Sequence, residues 1–164
     1  MTVCTCRRQR LFGDVAAGEM RLSIAGRVAR EEWLRTPEAR ETIALDAFVV
    51  MPDHVHLLFG IVPEGGAGSA PGYGRGVLQY APTNVARAFR SPSKTVGAAI
   101  RAFKGAVTRG VWAIEGREIG PVWQRGFYDR VVRNDREADA IRRYIDQNPA
   151  RWTGSEDRPD GHRA

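Results

Sequence analysis

The stretch TIALDAFVVMPDHVHLLFGIV, residues 42–62, decides the fold of this chain. The runs on either side of Pro52-Asp53 are rich in β-branched and apolar residues, which favour strands. Pro followed by Asp is typical of a tight turn. The pattern therefore predicts strands at 42–51 and 54–62, and a β-hairpin between Phe48 and Val62 that lies centrally in a sheet because it is the most apolar part of the chain.

The rest of the chain divides into shorter periodic segments. Alternation of apolar residues predicts strands, and a spacing of three to four predicts helices. Asn134 with Glu137 three residues later resembles a capping box, and Ser93 is a candidate helix cap. The predicted elements are a short strand at 2–6, two strands around a turn within 11–23, a helix at 24–35, a Gly/Pro-rich flexible loop at 63–83, a helix at 93–110, a strand at 121–133 and a last helix at 134–148.

The charge of the chain points to a polyanionic partner. The formal net charge is +6, and arginine carries it, since Lys94 and Lys104 are the only lysines. Arginine pairs with phosphate oxygens through a planar fork, so nucleic acid is one candidate partner. Arginines that merely solvate the surface are the alternative. The sequence contains neither a membrane-length apolar run nor a signal-peptide pattern, and Cys4 and Cys6 are interpreted as reduced thiols, so we expect a cytoplasmic protein without membrane association.

His54 and His56 are the candidate metal ligands. Residues two apart on a strand point to the same face, so both imidazoles lie close together. Neutral imidazole binds divalent metals well. Two polar residues on a solvated sheet face would give the same pattern, but these follow a turn inside the most apolar hairpin, where unpartnered rings would be costly.

Tyr144 and Asn148 form a second candidate group on the last helix. They are four residues apart and therefore share a face, beside the apolar stripe that includes Ile141 and Ile145. A half-buried core tyrosine and an asparagine in a turn before Pro149 are the structural alternatives. The functional interpretation is that Tyr144 is a nucleophile and that the Asn148 carbonyl oxygen is a third metal ligand.

Three motifs in this order resemble one protein family. They are FVVMPDHVHLL at 48–58, VWQRGFYDRVVRN at 122–134 and YIDQNPARW at 144–152. The first is similar to the HUH motif of single-tyrosine insertion-sequence transposases, and all three are most similar to the REP-associated tyrosine transposases. The resemblance covers most of residues 11–152.

The resemblance implies both a fold and an activity. The fold is α+β, an antiparallel β-sheet with helices packed on it, in a single domain at 1–152 followed by a polar tail at 153–164. The activity is metal-dependent cleavage and strand transfer of single-stranded or hairpin DNA through a 5′-phosphotyrosine. It implies Mg²⁺ or Mn²⁺ as cofactor, Tyr144 as nucleophile, and His54, His56 and Asn148 as metal ligands, in a monomer or a homodimer.

Two departures from the family pattern bear on activity. Family members usually begin further upstream with a full first strand, so the resemblance predicts a misassigned start or a truncated copy. The loop at 63–83 is longer than the pattern requires. Either departure would weaken folding or activity without changing the sequence of the three motifs.

Basic and aromatic residues near these motifs are the candidate DNA contacts. Arginine and lysine would bind phosphates, and the aromatic rings of Trp123, Phe127 and Tyr128 would stack on unpaired bases, although at least one of the three is expected in the core. The candidate DNA contacts are Arg101, Lys104, Trp123, Arg125, Arg130, Arg133, Arg142 and Arg143.

Two other functions fit the sequence less well. A non-catalytic or truncated relative would bind hairpin DNA without forming a covalent adduct. A metal-dependent hydrolase would need further ligands, for which the strand ends offer Asp46 and Asp53. Tyr128 is the rival nucleophile, ranked lower because it lies on a predicted strand without an asparagine beside it.

Overall fold

The computed structural model of the chain describes residues 1–62 and 96–154. The predicted loop at 63–83, the Ser93 cap and residues 155–164 of the predicted tail lie outside these ranges. No helix in the described part of the chain is long and apolar enough to cross a membrane.

An antiparallel sheet forms the centre of the structure. Its strands are β1 (Thr2–Cys4), β4 (Ile43–Met51) and β5 (His54–Ile61), in the order β1-β5-β4. Strands β4 and β5 form the predicted hairpin, with Met51 opposite His54 across the turn. The expected central position is correct for β5, whereas β4 is an edge strand among the described strands.

The segment at 121–133 corrects one prediction, because it is not a regular strand. It pairs with the chain near β1 at two isolated points, Thr2 with Tyr128 and Thr5 with Trp123. Trp123 and Tyr128 are five positions apart, whereas their partners Thr5 and Thr2 are three positions apart. The two extra residues between Trp123 and Tyr128 therefore form a bulge. Gly126, with φ 74°, lies in this bulge.

A small hairpin and two helices follow β1. Strands β2 (Gly13–Ala16) and β3 (Glu19–Leu22) confirm the two strands predicted within 11–23. Helix α1 (Ile24–Leu34) begins where the Ser23 hydroxyl accepts a hydrogen bond from the Gly26 amide at 3.0 Å. A short helix, α2 (Thr36–Ala39), follows directly.

Helix α3 (Val96–Glu115) continues five residues beyond the predicted end at Gly110. This glycine is where α1 approaches α3, since a Cβ there would lie 2.7 Å from Val28 Cγ1. It is therefore a packing residue and not a helix stop.

Helix α4 (Asp135–Gln147) confirms the predicted last helix and its cap. The Asn134 side chain accepts from the Glu137 amide at 2.9 Å. The Glu137 carboxylate accepts from the Arg133 amide instead of the Asn134 amide, so the capping box is displaced by one residue.

The helices form layers on both faces of the sheet. The main core joins α1 and α3 to the face of the sheet that carries Val3, Val50, Val55 and Leu57. Helix α4 packs on β4 and β5. Because side chains alternate along a strand, His54 and His56 lie on the face opposite Val55 and Leu57, where α4 covers them.

Candidate functional site

The two imidazoles of β5 meet edge to face. Their Nε2 atoms are 3.0 Å apart and their ring centroids 4.5 Å apart. His54 is 1% exposed and His56 is 6% exposed. Such burial requires hydrogen-bond partners for both rings, because an unpaired buried polar group costs free energy.

The outer ring nitrogens of both histidines have partners. His54 Nδ1 lies 2.6 Å from Asp53 Oδ1. A carboxylate can only accept, so Nδ1 carries the proton and His54 Nε2 keeps its lone pair. His56 Nδ1 lies 2.8 Å from Thr2 Oγ1, which can donate or accept. With both rings neutral, the 3.0 Å separation of the Nε2 atoms fits a hydrogen bond from His56 to His54, and it also fits two lone pairs that share one cation beside them.

Asp53 is fully buried and is itself held in place. Its carbonyl oxygen accepts from the Thr5 hydroxyl and amide, each at 2.9 Å, and Arg8 Nε lies 3.1 Å from its Oδ2. Arg7 and Arg8 both have left-handed φ values, 54° and 56°. Non-glycine residues adopt this conformation at a cost of about 1–2 kcal/mol each, so tertiary contacts hold a turn that brings the guanidinium to Asp53.

These supporting residues were missed by sequence reasoning. The sequence pattern suggests Asp53 as a turn residue or as a ligand in the hydrolase alternative, and it does not distinguish Thr2 or Arg8 from other polar residues. The one available signal was an acidic residue directly before the His-x-His pair, since metal-binding histidines commonly donate to a carboxylate.

Helix α4 brings Tyr144 to the histidine pair. The Tyr144 hydroxyl oxygen lies 3.4 Å from His56 Nε2, and the two rings are 5.2 Å apart at 71°. The tyrosine is 38% exposed. Its hydroxyl therefore lies beside the buried pair, on a side chain that a substrate can reach from solvent.

Asn148 lies in the sequence between Tyr144 and Trp152, the two residues whose rings contact the histidines. Tyr144, one turn earlier, contacts His56, and Trp152, four residues later, has its ring 5.8 Å from that of His54. Asn148 is 2% exposed, and its Oδ1 has no hydrogen-bond donor among the described residues. An acceptor left this way costs about 1–3 kcal/mol, which a bound cation or water would recover.

These residues fit a divalent ion. Two ligands at right angles, each about 2.1 Å from an octahedrally coordinated ion, lie about 3.0 Å apart, as the two Nε2 atoms do. Within residues 1–62 and 96–154, no three His, Cys, Asp or Glu side chains group around one point. The buried and unpaired amide oxygen of Asn148 is therefore a candidate third ligand on the helix that packs on this face.

Burial keeps His56 neutral. Desolvation lowers its pKa to about 2, and repulsion from the protonated form of His54, from the amino terminus and from Arg8 acts in the same direction. Neutral imidazole is the form that binds metal.

Most of the predicted phosphate contacts lie at the surface, and some of them already bind other groups of the protein. Arg130 pairs with Glu137. Lys104 donates to the carbonyl oxygens of Gln124 at 2.7 Å and Gly126 at 3.0 Å, so it holds this loop to α3. Burial lowers the pKa of Lys104. The exposed members of the set are Arg101, Arg125, Arg130, Arg133 and Arg143.

Two members of the predicted set are better explained as structural. Arg142 is 7% exposed and donates to Asp46 through Nε at 2.8 Å and Nη2 at 2.5 Å, and to Asp139 through Nη1 at 2.7 Å. Trp123 is 9% exposed, packs on Phe12 and Phe103, and donates to the Lys104 carbonyl. The structure argues against both as DNA contacts, because neither presents its guanidinium or ring face to solvent.

Comparison with solved structures supports the fold. A REP-associated tyrosine transposase bound to a REP hairpin matches 90% of this chain with a TM-score of 0.55 at 19% sequence identity. The chain spans 63% of the length of that transposase chain. The predicted α+β class, with helices on an antiparallel sheet, is confirmed.

Comparison of sequences places the chain among its relatives. No protein-family profile matches it. An uncharacterised protein of Haemophilus influenzae is 31% identical over 153 residues, which cover 93% of this chain and 79% of that protein. The chain therefore belongs to the same family as the Haemophilus influenzae protein, and it has the fold of a REP-associated tyrosine transposase.

Proposed function

We propose that this protein cleaves single-stranded DNA near a hairpin and transfers the strand through a covalent 5′-phosphotyrosine at Tyr144. His54, His56 and Asn148 hold Mg²⁺ or Mn²⁺ in this proposal. The observation that carries it is the 3.4 Å distance between the Tyr144 hydroxyl oxygen and His56 Nε2. This distance sets a solvent-accessible hydroxyl beside a buried pair of imidazole nitrogens, which supports the two roles proposed for them.

The fold supports a DNA-processing function of this kind. The matching transposase was solved with a REP hairpin bound. We extend hairpin DNA to this chain because of its shared fold, its net charge of +6 and its exposed arginines. Transposition is the biological process that this activity serves.

The metal, when bound, supplies positive charge that polarises the scissile phosphate and draws it to the site. The chain contributes the geometry. His54 and His56 present nitrogen lone pairs, and Asp53 fixes the ring of His54 through its Nδ1 hydrogen bond. Asn148 presents an otherwise unpaired carbonyl oxygen.

Tyr144 carries the covalent chemistry. Its phenol loses a proton and its oxygen attacks phosphorus; the P–O3′ bond breaks, and the departing oxygen takes up a proton to give a free 3′-OH. A second 3′-OH then attacks the phosphotyrosine, which releases the Tyr144 phenol and joins the new strand. One phosphodiester is exchanged for another, so no nucleotide cofactor is consumed.

Incubation with a hairpin oligonucleotide that carries single-stranded flanks tests the proposal. With Mg²⁺ or Mn²⁺, the wild-type protein should give a protein–DNA band that survives denaturation, and EDTA should remove it. Tyr144→Phe should abolish the band. Tyr128→Phe tests the rival nucleophile and should still form the band, although its amount need not match that of the wild type.

The outcomes separate the candidate functions. A band that is still formed by the Tyr144→Phe protein would refute the assignment of Tyr144 as the nucleophile. Tight hairpin binding by the wild type, without any band, would establish the non-catalytic DNA-binding relative instead.

A further inference from the structure

Tyr128 lies on the same face of the sheet as the histidine pair. The Thr2 amide donates to the Tyr128 carbonyl at 2.7 Å, and the Tyr128 amide donates back to Thr2 at 2.9 Å. Two residues that exchange both bonds are directly opposed, and their side chains share one face. The Thr2 hydroxyl, 2.8 Å from His56 Nδ1, identifies this face as that of the site.

Tyr128, Thr2 and His56 therefore form a row across the sheet. Thr2 is also the register partner of His56. Adjacent strands are about 4.8 Å apart, so the backbone of Tyr128 lies roughly 10 Å from that of His56. That places it beside the site, within reach of nucleotides that flank the scissile phosphate.

The surroundings of Tyr128 form a small cleft. Its volume is about 160 Å³, and its lining is Cys4, Gln124, Arg125, Gly126, Phe127 and Tyr128. Tyr128 is 57% exposed, and Arg125 is exposed as well. The two hydrogen bonds of Lys104 to Gln124 and Gly126 hold the loop that forms the cleft.

We propose that this cleft is a subsite for one unpaired base next to the scissile phosphate, an inference that rests on the proposed function. The Tyr128 ring stacks on the base, and Arg125 pairs with the adjoining backbone phosphate. Aromatic stacking accepts any base, and a neighbouring guanidinium supplies complementary charge to the strand. The position on the catalytic face favours a substrate base over an unrelated ligand.

The test measures binding without cleavage. The Tyr144→Phe protein is titrated onto a hairpin oligonucleotide whose flanking bases are replaced one at a time by 2-aminopurine, a base whose fluorescence is quenched by stacking. Each oligonucleotide is also made with an abasic site at the same position. Tyr128→Ala and Tyr128→Phe are added in the same background, and Ile114→Ala, an exposed apolar residue on α3, is the control.

One flanking position, or two adjacent ones, should be quenched. Tyr128→Ala should remove the quenching there and weaken binding about tenfold. Tyr128→Phe should retain both, and Ile114→Ala should change neither. On the abasic oligonucleotide the Tyr128→Ala substitution should have no further effect, because the base it stacks on is gone.

Two results would overturn the subsite. One is that no position loses its quenching in Tyr128→Ala. The other is that Tyr128→Ala weakens the intact and abasic oligonucleotides equally. The covalent-band assay with wild-type protein separates this failure from failure of strand transfer: a band without Tyr128-dependent quenching removes the subsite alone, and quenching without a band removes strand transfer alone.

Discussion

Replacing Asp46 by alanine should destabilise the docking of α4, the helix that carries Tyr144. Asp46 lies where the β4–β5 register is interrupted between Leu45 and Phe48. Such irregularities change the direction in which side chains point. Here the Asp46 carboxylate accepts hydrogen bonds from both Nε and Nη2 of Arg142. Arg142 is two residues from Tyr144, so these two hydrogen bonds join the helix that carries Tyr144 directly to the sheet.

The magnitude follows from burial. The Arg142 side chain is 8% exposed and that of Asp46 is 21% exposed. Removing one partner of a buried pair costs about 3–5 kcal/mol, because the other charge is left without its counterion. Asp46 is partly solvated and Asp139 still accepts from Arg142, so we expect a loss of about 2–3 kcal/mol in the free energy of unfolding.

Urea denaturation followed by tryptophan fluorescence measures this loss. Asp139→Ala is the matched control, because it removes the other carboxylate from the same arginine. That carboxylate is 50% exposed, so its loss should cost only about 0.5 kcal/mol. In a double-mutant cycle, Asp46→Ala should cost far less when Arg142→Ala is already present.

Equal effects of Asp46→Ala and Asp139→Ala would refute the reasoning. So would additive effects of Asp46→Ala and Arg142→Ala. Either result would mean that these two hydrogen bonds do not hold α4 to the sheet.

Three further substitutions have defined outcomes. Asp53→Asn should weaken Mn²⁺ binding, measured by titration calorimetry, about 10- to 100-fold, because a neutral amide replaces the carboxylate that accepts from His54 and makes the ring less basic. An unchanged affinity, or an equal loss in the exposed control Asp14→Asn, would contradict this. Asn134→Ala should lower the stability to urea by about 1 kcal/mol through loss of the α4 cap, so no change would exclude the cap. Gly26→Ala should lower the melting temperature, because its Cβ would meet the Phe12 carbonyl oxygen at 2.1 Å; Gly105→Ala, with only Arg109 Nη1 at 3.4 Å, should not.

Local signals explain why most elements could be predicted. The tight turn at Pro52-Asp53 separates β4 from β5, and a small turn separates β2 from β3. In the small turn, both Ala17 and Gly18 have positive φ values. Ser23 and Asn134 begin helices through hydrogen bonds within three residues. Interactions between residues so close in the chain can be predicted from a short stretch of sequence.

The errors occur where a distant partner decides the conformation. Residues 121–133 alternate as a strand would, but their pairing depends on β1 and is interrupted by a bulge. Gly110 has the pattern of a helix end, yet contact with Val28 of α1 explains it as an interior residue. Trp123 and Arg142 are residue types that often contact DNA, and only the packing of the folded chain shows that both side chains are buried.

The amino-acid sequence alone determined that His54 and His56 share a face and that Tyr144 and Asn148 share another, because those relations follow from the repeat of a strand and of a helix. Only the tertiary structure brought the Tyr144 hydroxyl to His56, 88 residues away, and Arg142 to Asp46, 96 residues away. Contacts over such separations depend on how α4 packs on the sheet and on the interrupted register of β4. No local periodicity encodes that arrangement.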